Sequence, residues 1–170
     1  MYKVNCAIMF DMAEIPDIIK VPIVSSVWDA LWAPLPDAVP TATATPMLVL
    51  TRPYEQGSAT ETQLHKMLQA CGLTAAQCAI VMVSEQDSMS WVALKMRLQP
   101  KAVLLTGVHP QQLGVAALLQ LNKPNNYSDT IWIPTLSIPE LEQQPEAKKA
   151  LWLEALKPVW VDNQYGVKAE

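Results

Sequence analysis

Thr51-Arg52-Pro53-Tyr54-Glu55-Gln56-Gly57 brings a cation, an aromatic ring and a carboxylate into one short stretch. Such a set can bind an anion or polarise a substrate, but it lacks the glycine spacing of a loop that wraps phosphate with backbone amides. It reads first as a solvated connection. His109 stands just before a helix start predicted at Pro110, where an imidazole can meet an anion or act as a base. No acid or nucleophile accompanies it locally, which favours capping or packing. His65 lies beside Lys66 on the exposed side of a predicted helix and is given no function. The three cysteines, Cys6, Cys71 and Cys78, fit no short metal-ligand spacing. With two histidines, a zinc or iron–sulfur site would need carboxylates from scattered loops. No metal and no other cofactor is expected. Nor is there a Gly-x-Ser-x-Gly elbow to expose a serine nucleophile.

Composition narrows the classes further. The 170 residues are 51% hydrophobic, enough for one core and too few for two domains. The net charge is −4 and the only arginines are Arg52 and Arg97. Broad phosphate neutralisation has no reservoir, so direct nucleic-acid binding is disfavoured. An odd cysteine number points to free thiols in a reducing compartment, hence a cytoplasmic location. The apolar run Cys6 to Phe10 is followed by Asp11 and Glu14 and lacks the flanks of a secretion signal. No stretch approaches the roughly 20 apolar residues of a membrane-spanning helix, so no membrane partner is expected.

Residues 1–46 form a proline-rich tail. Pro34, Pro36, Pro40 and Pro46 frame Thr41-Ala42-Thr43-Ala44-Thr45, an extended linker. Before it, Ser25 or Ser26 can cap a short helix in which Val27/Leu31 and Trp28/Trp32 pair at i,i+4. That helix either packs on its own domain or docks on a partner through Trp28, Leu31 and Trp32, since aromatics concentrate binding energy at interfaces.

From Met47 the pattern changes to short apolar runs alternating with amphipathic stretches, the signature of a parallel sheet covered by helices. Strands are predicted at Met47 to Thr51, Ala79 to Ser84, Ala102 to Thr106 and Thr130 to Pro134. A helix opens on the capping box Ser58-Ala59-Thr60-Glu61. It carries Leu64, Met67, Leu68 and Cys71 on one face and stops at Gly72. A second starts at Ser88 or Ser90 and buries Trp91, Leu94 and Leu98. A third starts at Pro110 with Leu113, Ala117 and Leu121 inward, and a fourth starts at Pro145 with Ala147, Leu151 and Leu156 inward. Lys123 to Asp129 reads as a polar loop, and Glu140 through Lys149 as a solvated helical face. The expected fold is a three-layer α/β/α sandwich on a mostly parallel four-stranded sheet, spanning residues 47–160, with a C-terminal tail at 161–170. Any site should sit at the carboxyl ends of the strands, in Thr51 to Gly57, Ser84 to Asp87, Gly107 to Pro110 and Thr135 to Pro139.

Three segments resemble the uracil-DNA glycosylase superfamily, particularly its bacterial iron–sulfur branch. They are Met47 to Leu73, the Pro-Lys strand Leu98-Gln99-Pro100-Lys101 to Gly107, and Thr135 to Trp152. The resemblance implies a glycosylase-like fold in which Leu50-Thr51-Arg52-Pro53-Tyr54 matches the loop that holds the water-activating acid, with Thr51 at the acid's place. Ser137-Ile138-Pro139 matches the motif whose histidine stabilises the departing base, with Ser137 at the histidine's place. The cluster cysteines have no counterparts. Base excision would then be lost. A degenerate domain behind a tail is also similar to the psi-subunit family of bacterial DNA polymerase III, non-catalytic members of the clamp-loader assembly. This implies a replication accessory protein whose tail, through Trp28 and Trp32, engages clamp-loader components. The rival expectation is a divergent glycosylase or nucleotide-binding enzyme with Arg52, Tyr54 and His109 around the strand ends; self-association is a third.

Overall fold

The structure, a computed structural model, describes Leu35, Val39 and residues 45–167. Five strands, β1 (Met47–Thr51), β2 (Cys78–Met82), β3 (Ala102–Thr106), β4 (Asn125–Tyr127) and β5 (Thr130–Thr135), form one sheet in the order β2-β1-β3-β5-β4. The first three and β5 run parallel, and β4 pairs antiparallel with β5. The continuous apolar runs MLVLT and AVLLT are buried at every position, as strands covered on both faces must be.

Two cores flank the sheet. On one face α1 (Ala59–Ala70), α3 (Ile138–Gln143), α4 (Pro145–Ala150) and a last helix (Leu151–Val161) pack Leu64, Leu68, Ile138, Leu141, Leu151 and Trp160 over Val49, Leu104 and Ile133. On the other, α2 (Trp91–Leu98) packs Trp91, Leu94 and Leu98 over Leu48, Leu50, Val103 and Trp132. Val39 is buried in this second core and Leu35 packs against it. Val167 is buried in the first core.

The helix starts follow local chemistry. Ser58 Oγ accepts the Glu61 amide at 3.3 Å. The Glu61 carboxylate reaches back to the Gly57 amide at 2.5 Å, one residue beyond the capping box expected from sequence, because the Ser58 amide donates to the Glu55 carbonyl instead. Ser90 caps α2, its Oγ accepting the Ala93 amide at 3.3 Å. The last helix is wound wider than an α-helix. Asp162 N donates to Lys157 O, five residues back, and Pro158, inside the helix, supplies no N–H to the ladder.

Three expectations are corrected. The sheet has five strands rather than four: the segment read as a polar loop forms the short strand β4, turned back on β5 by Ser128 and Asp129 at φ 52° and 57°. Two positive φ values in succession are the geometry of a tight hairpin turn. The helix predicted from Pro110 is a single tight turn, Pro110–Leu113, ended by Gly114 at φ 71°. From its last residue onward Leu113 and Val115 are buried and Ala117 and Leu119 pack on the second core, while Leu118 and Leu121 are exposed. Inward side chains at every second residue mark an extended chain, not a helix. Finally, Glu140 to Lys149 is not one solvated face, since it includes residues 140–143 of α3, of which Leu141 is buried.

Candidate functional site

The chain leaves β1 for β2 on one side and returns to β3 on the other, so the strand order switches at β1 and β3. Such a switch opens a crevice at the carboxyl ends of the strands, where α/β proteins usually hold ligands. Here the crevice floor is a row of threonines, Thr51 opposite Thr106 and Thr106 opposite Thr135. All three are buried. Each hydroxyl donates within the protein, Thr51 to the Arg52 carbonyl at 3.3 Å, Thr106 to the Leu50 carbonyl at 3.3 Å and Thr135 to Asn122 Oδ1 at 2.7 Å.

Arg52 lies across this floor. Its Nη1 donates to the Val83 carbonyl past the end of β2 at 3.2 Å. Its Cγ would come 3.3 Å from a Cβ built on Gly107, which follows β3. One side chain therefore spans the switch point. A cleft of about 340 Å³ remains beside it, lined by Thr51, Arg52, Tyr54, Ser58, Ser137 and Pro139, with others. Four of the five sequence-derived cleft residues thus meet in one place. The Tyr54 phenol is held above its ordinary pKa, first by burial and then by the charge of Glu61, so it is a neutral donor at physiological pH.

Ser137 is engaged in a helix cap. Its Oγ donates to Glu140 Oε2 at 2.6 Å and its amide to the same oxygen at 2.9 Å, which secures the start of α3. These two bonds hold the Glu140 carboxyl below its ordinary pKa. His109 does not line the cleft. It is exposed, and its amide donates to Gln112 Oε1 at 3.3 Å. Trp28, Leu31 and Trp32 lie outside the described residues.

Gln112 carries no signal in the sequence, because its partners are carbonyls of a distant loop. Its Nε2 lies 2.8 Å from the Ser84 carbonyl, 3.3 Å from that of Glu85 and 2.9 Å from that of Asp87, stapling the β2 exit to the β3 exit. Asp87 accepts the Ser84 amide at 2.9 Å, and the hydrogen bonds from Ser84 hold its carboxyl below the ordinary range.

Beside the strand-end cleft lies a wider hollow along the seam of α1 and α3, which shares Thr60, Ile138 and Pro139 with it. Next to that hollow, and sharing Gln63, Lys66, Ile138 and Glu142 with it, is an apolar recess walled by Met67, Leu141, Leu151 and Trp152. Among the described residues no group of three or more His, Cys, Asp or Glu side chains could hold a metal ion, and no described helix is long and apolar enough to cross a membrane. No protein-family model matches the chain, and no curated protein matches it significantly.

Proposed function

We propose that this chain is a non-catalytic protein-interaction subunit that uses its α/β domain as a rigid platform, of the kind that serves a replication clamp loader. The observation that carries the reading is Arg52, packed over Gly107 and bonded to Val83 across the switch point. A guanidinium committed to a backbone carbonyl lies where a substrate would enter, above three hydroxyls already donated to protein acceptors. Hollows along the α1–α3 seam add a partly apolar surface that a polypeptide could cover.

The replication assignment rests on the glycosylase and psi-subunit resemblances of the quoted segments. Affinity capture with the tagged full chain from its native host tests it. Recovery of clamp-loader components, lost when Trp28 and Trp32 are both changed to Ala, supports the reading. Recovery of no replication protein overturns the clamp-loader assignment. Tight binding of a free nucleobase or of uracil-containing DNA in a direct titration overturns the non-catalytic one.

A further inference from the structure

Among the described residues β2 is the outermost strand on its side of the sheet, yet it is built like an interior strand. Cys78-Ala79-Ile80-Val81-Met82 carries neither charge nor proline, two of the devices by which edge strands resist further pairing. The opposite edge is short and polar, Asn125-Asn126-Tyr127. Val83 N donates to Thr51 O at 2.8 Å, and the parallel register sets Ile80 opposite Val49 and Met82 opposite Thr51. The alternation of a parallel ladder then turns the N–H and C=O groups of Ile80 and Met82 outward, away from β1. Met82 is 44% exposed. Alongside, a groove of about 280 Å³ is lined by His65, Leu68, Leu73, Cys78 and Ile80, with others from α1 and the turn that follows it. Outward peptide groups beside a half-apolar groove accept an extended chain as an added strand, with ladder bonds along the edge and alternate side chains in the groove.

The chain itself contains a matching segment. Val4-Asn5-Cys6-Ala7-Ile8-Met9-Phe10 is uncharged between Lys3 and Asp11, and its Cys6-Ala7-Ile8 repeats Cys78-Ala79-Ile80 of β2. Short uncharged apolar runs without proline favour pairing as strands, so the run and the edge need the same kind of cover. Reach is ample. Leu35 packs on the domain, and residues 11–34, extended at about 3.3 Å each, span up to roughly 80 Å. A domain of this length is roughly 36 Å across, from its expected radius of gyration.

We propose that residues 4–10 add to the edge of β2 that no described residue pairs, within the same chain, as a further strand. Residue-resolved amide hydrogen exchange on the full chain tests this. The Ile80 and Met82 amides are expected to exchange at least about tenfold slower than unpaired amides, independent of protein concentration. Ile8→Pro and Met9→Pro remove N–H groups that point to opposite sides of an extended strand, so one is expected to release the protection and the other to weaken it less. The Val81 amide, bonded inside the sheet, keeps its protection in both. Fast exchange at Ile80 and Met82 in the unsubstituted chain overturns the proposal. So does protection that survives both substitutions, whether it rises with concentration, as a second copy on the edge requires, or not. Cross-strand nuclear Overhauser contacts between Ile80 and residues 4–10 in the unsubstituted chain decide the matter without a variant, and their absence overturns it.

Discussion

Gly107 and Ser137 approach so closely that a Cβ on Gly107 would lie 2.9 Å from the Ser137 Cβ and 3.2 Å from its Cα. Gly107 also sits at φ 70°, a conformation that disfavours side chains. Gly72 has nearly the same φ, 74°, with nothing within 4 Å of its notional Cβ. The two alanine variants therefore separate backbone strain from steric overlap. Gly72→Ala is expected to cost about 1 kcal/mol from conformation alone. Gly107→Ala adds displacement of the α3 start and of Arg52, for about 2–4 kcal/mol in all. Chemical denaturation of both checks the order, and equal costs would mean that the strand ends are looser than this contact implies.

The Ser137–Glu140 pair predicts a titration. Two hydrogen bonds from Ser137, the hydroxyl's first and the amide's second, hold the Glu140 pKa below its ordinary 4.5. A carboxyl with a depressed folded-state pKa contributes stability that is present above its unfolded pKa and lost as pH falls through the folded value. Asp87, lowered from 3.8 by Ser84, acts in the same sense. Stability is thus expected to decline on acidification below about pH 4.5. In Ser137→Ala, the carbon-detected titration of Glu140 is expected to move up towards the ordinary value while Asp87 stays where it is. No movement of Glu140 would show that the cap is not formed in solution.

Most of the fold was legible, and where it was not the cause is physical. α1 could be read whole, because its cap at Ser58, its stripe at Leu64 and Leu68 and its stop at Gly72 are all local. β4 could not, since Asn125-Asn126-Tyr127 has no apolar alternation and exists through pairing with β5. The stretch after Pro110 misleads because Leu113, Ala117 and Leu121 have helical spacing, while Gly114 and the inward positions 113, 115, 117 and 119 carry the extended reading. At the candidate site, Ser137-Ile138-Pro139-Glu140 shows the same cap signature as Ser58 to Glu61, which accounts for Ser137 without invoking chemistry. The staple at Gln112 depends on carbonyls 25 to 28 residues away, and no local pattern announces such partners.

Burial makes the described cysteines poor nucleophiles. The Cys71 thiol is pushed up to about 12, by burial and then by Cys78, and the Cys78 thiol to about 11 by burial. At pH 8 the thiolate fraction of Cys78 is then about one in a thousand and that of Cys71 about one in ten thousand. Iodoacetamide at pH 8 is expected to leave both unmodified in the native protein and to alkylate both after denaturation, as read by peptide mass spectrometry. The pH dependence follows the same sign. Thiols kept protonated in the fold contribute stability that is fully present below their unfolded pKa, near 9, and is lost as pH rises towards the folded values. Rapid native alkylation of Cys78 would show that the β2 edge opens more than its packing allows.

Trp132 is wholly buried at the centre of an aromatic group, edge-on to Trp91 at 4.6 Å and 66° and to Tyr127 at 5.9 Å and 85°. Its indole N–H finds no acceptor among the described residues, so its stabilising contribution comes from ring area and edge-to-face contact rather than from a hydrogen bond. Trp132→Phe keeps a ring and loses no hydrogen bond to a described residue, and is expected to cost about 1–2 kcal/mol through lost volume. Trp132→Ala empties the space between α2 and the sheet and is expected to cost about 3–5 kcal/mol. Near-ultraviolet circular dichroism should lose the signal of the Trp91–Trp132 pair in both variants, while denaturation separates their stabilities. If Phe proved as costly as Ala, the indole N–H would have to be bonded in solution, and the side chain's role would be polar rather than one of packing.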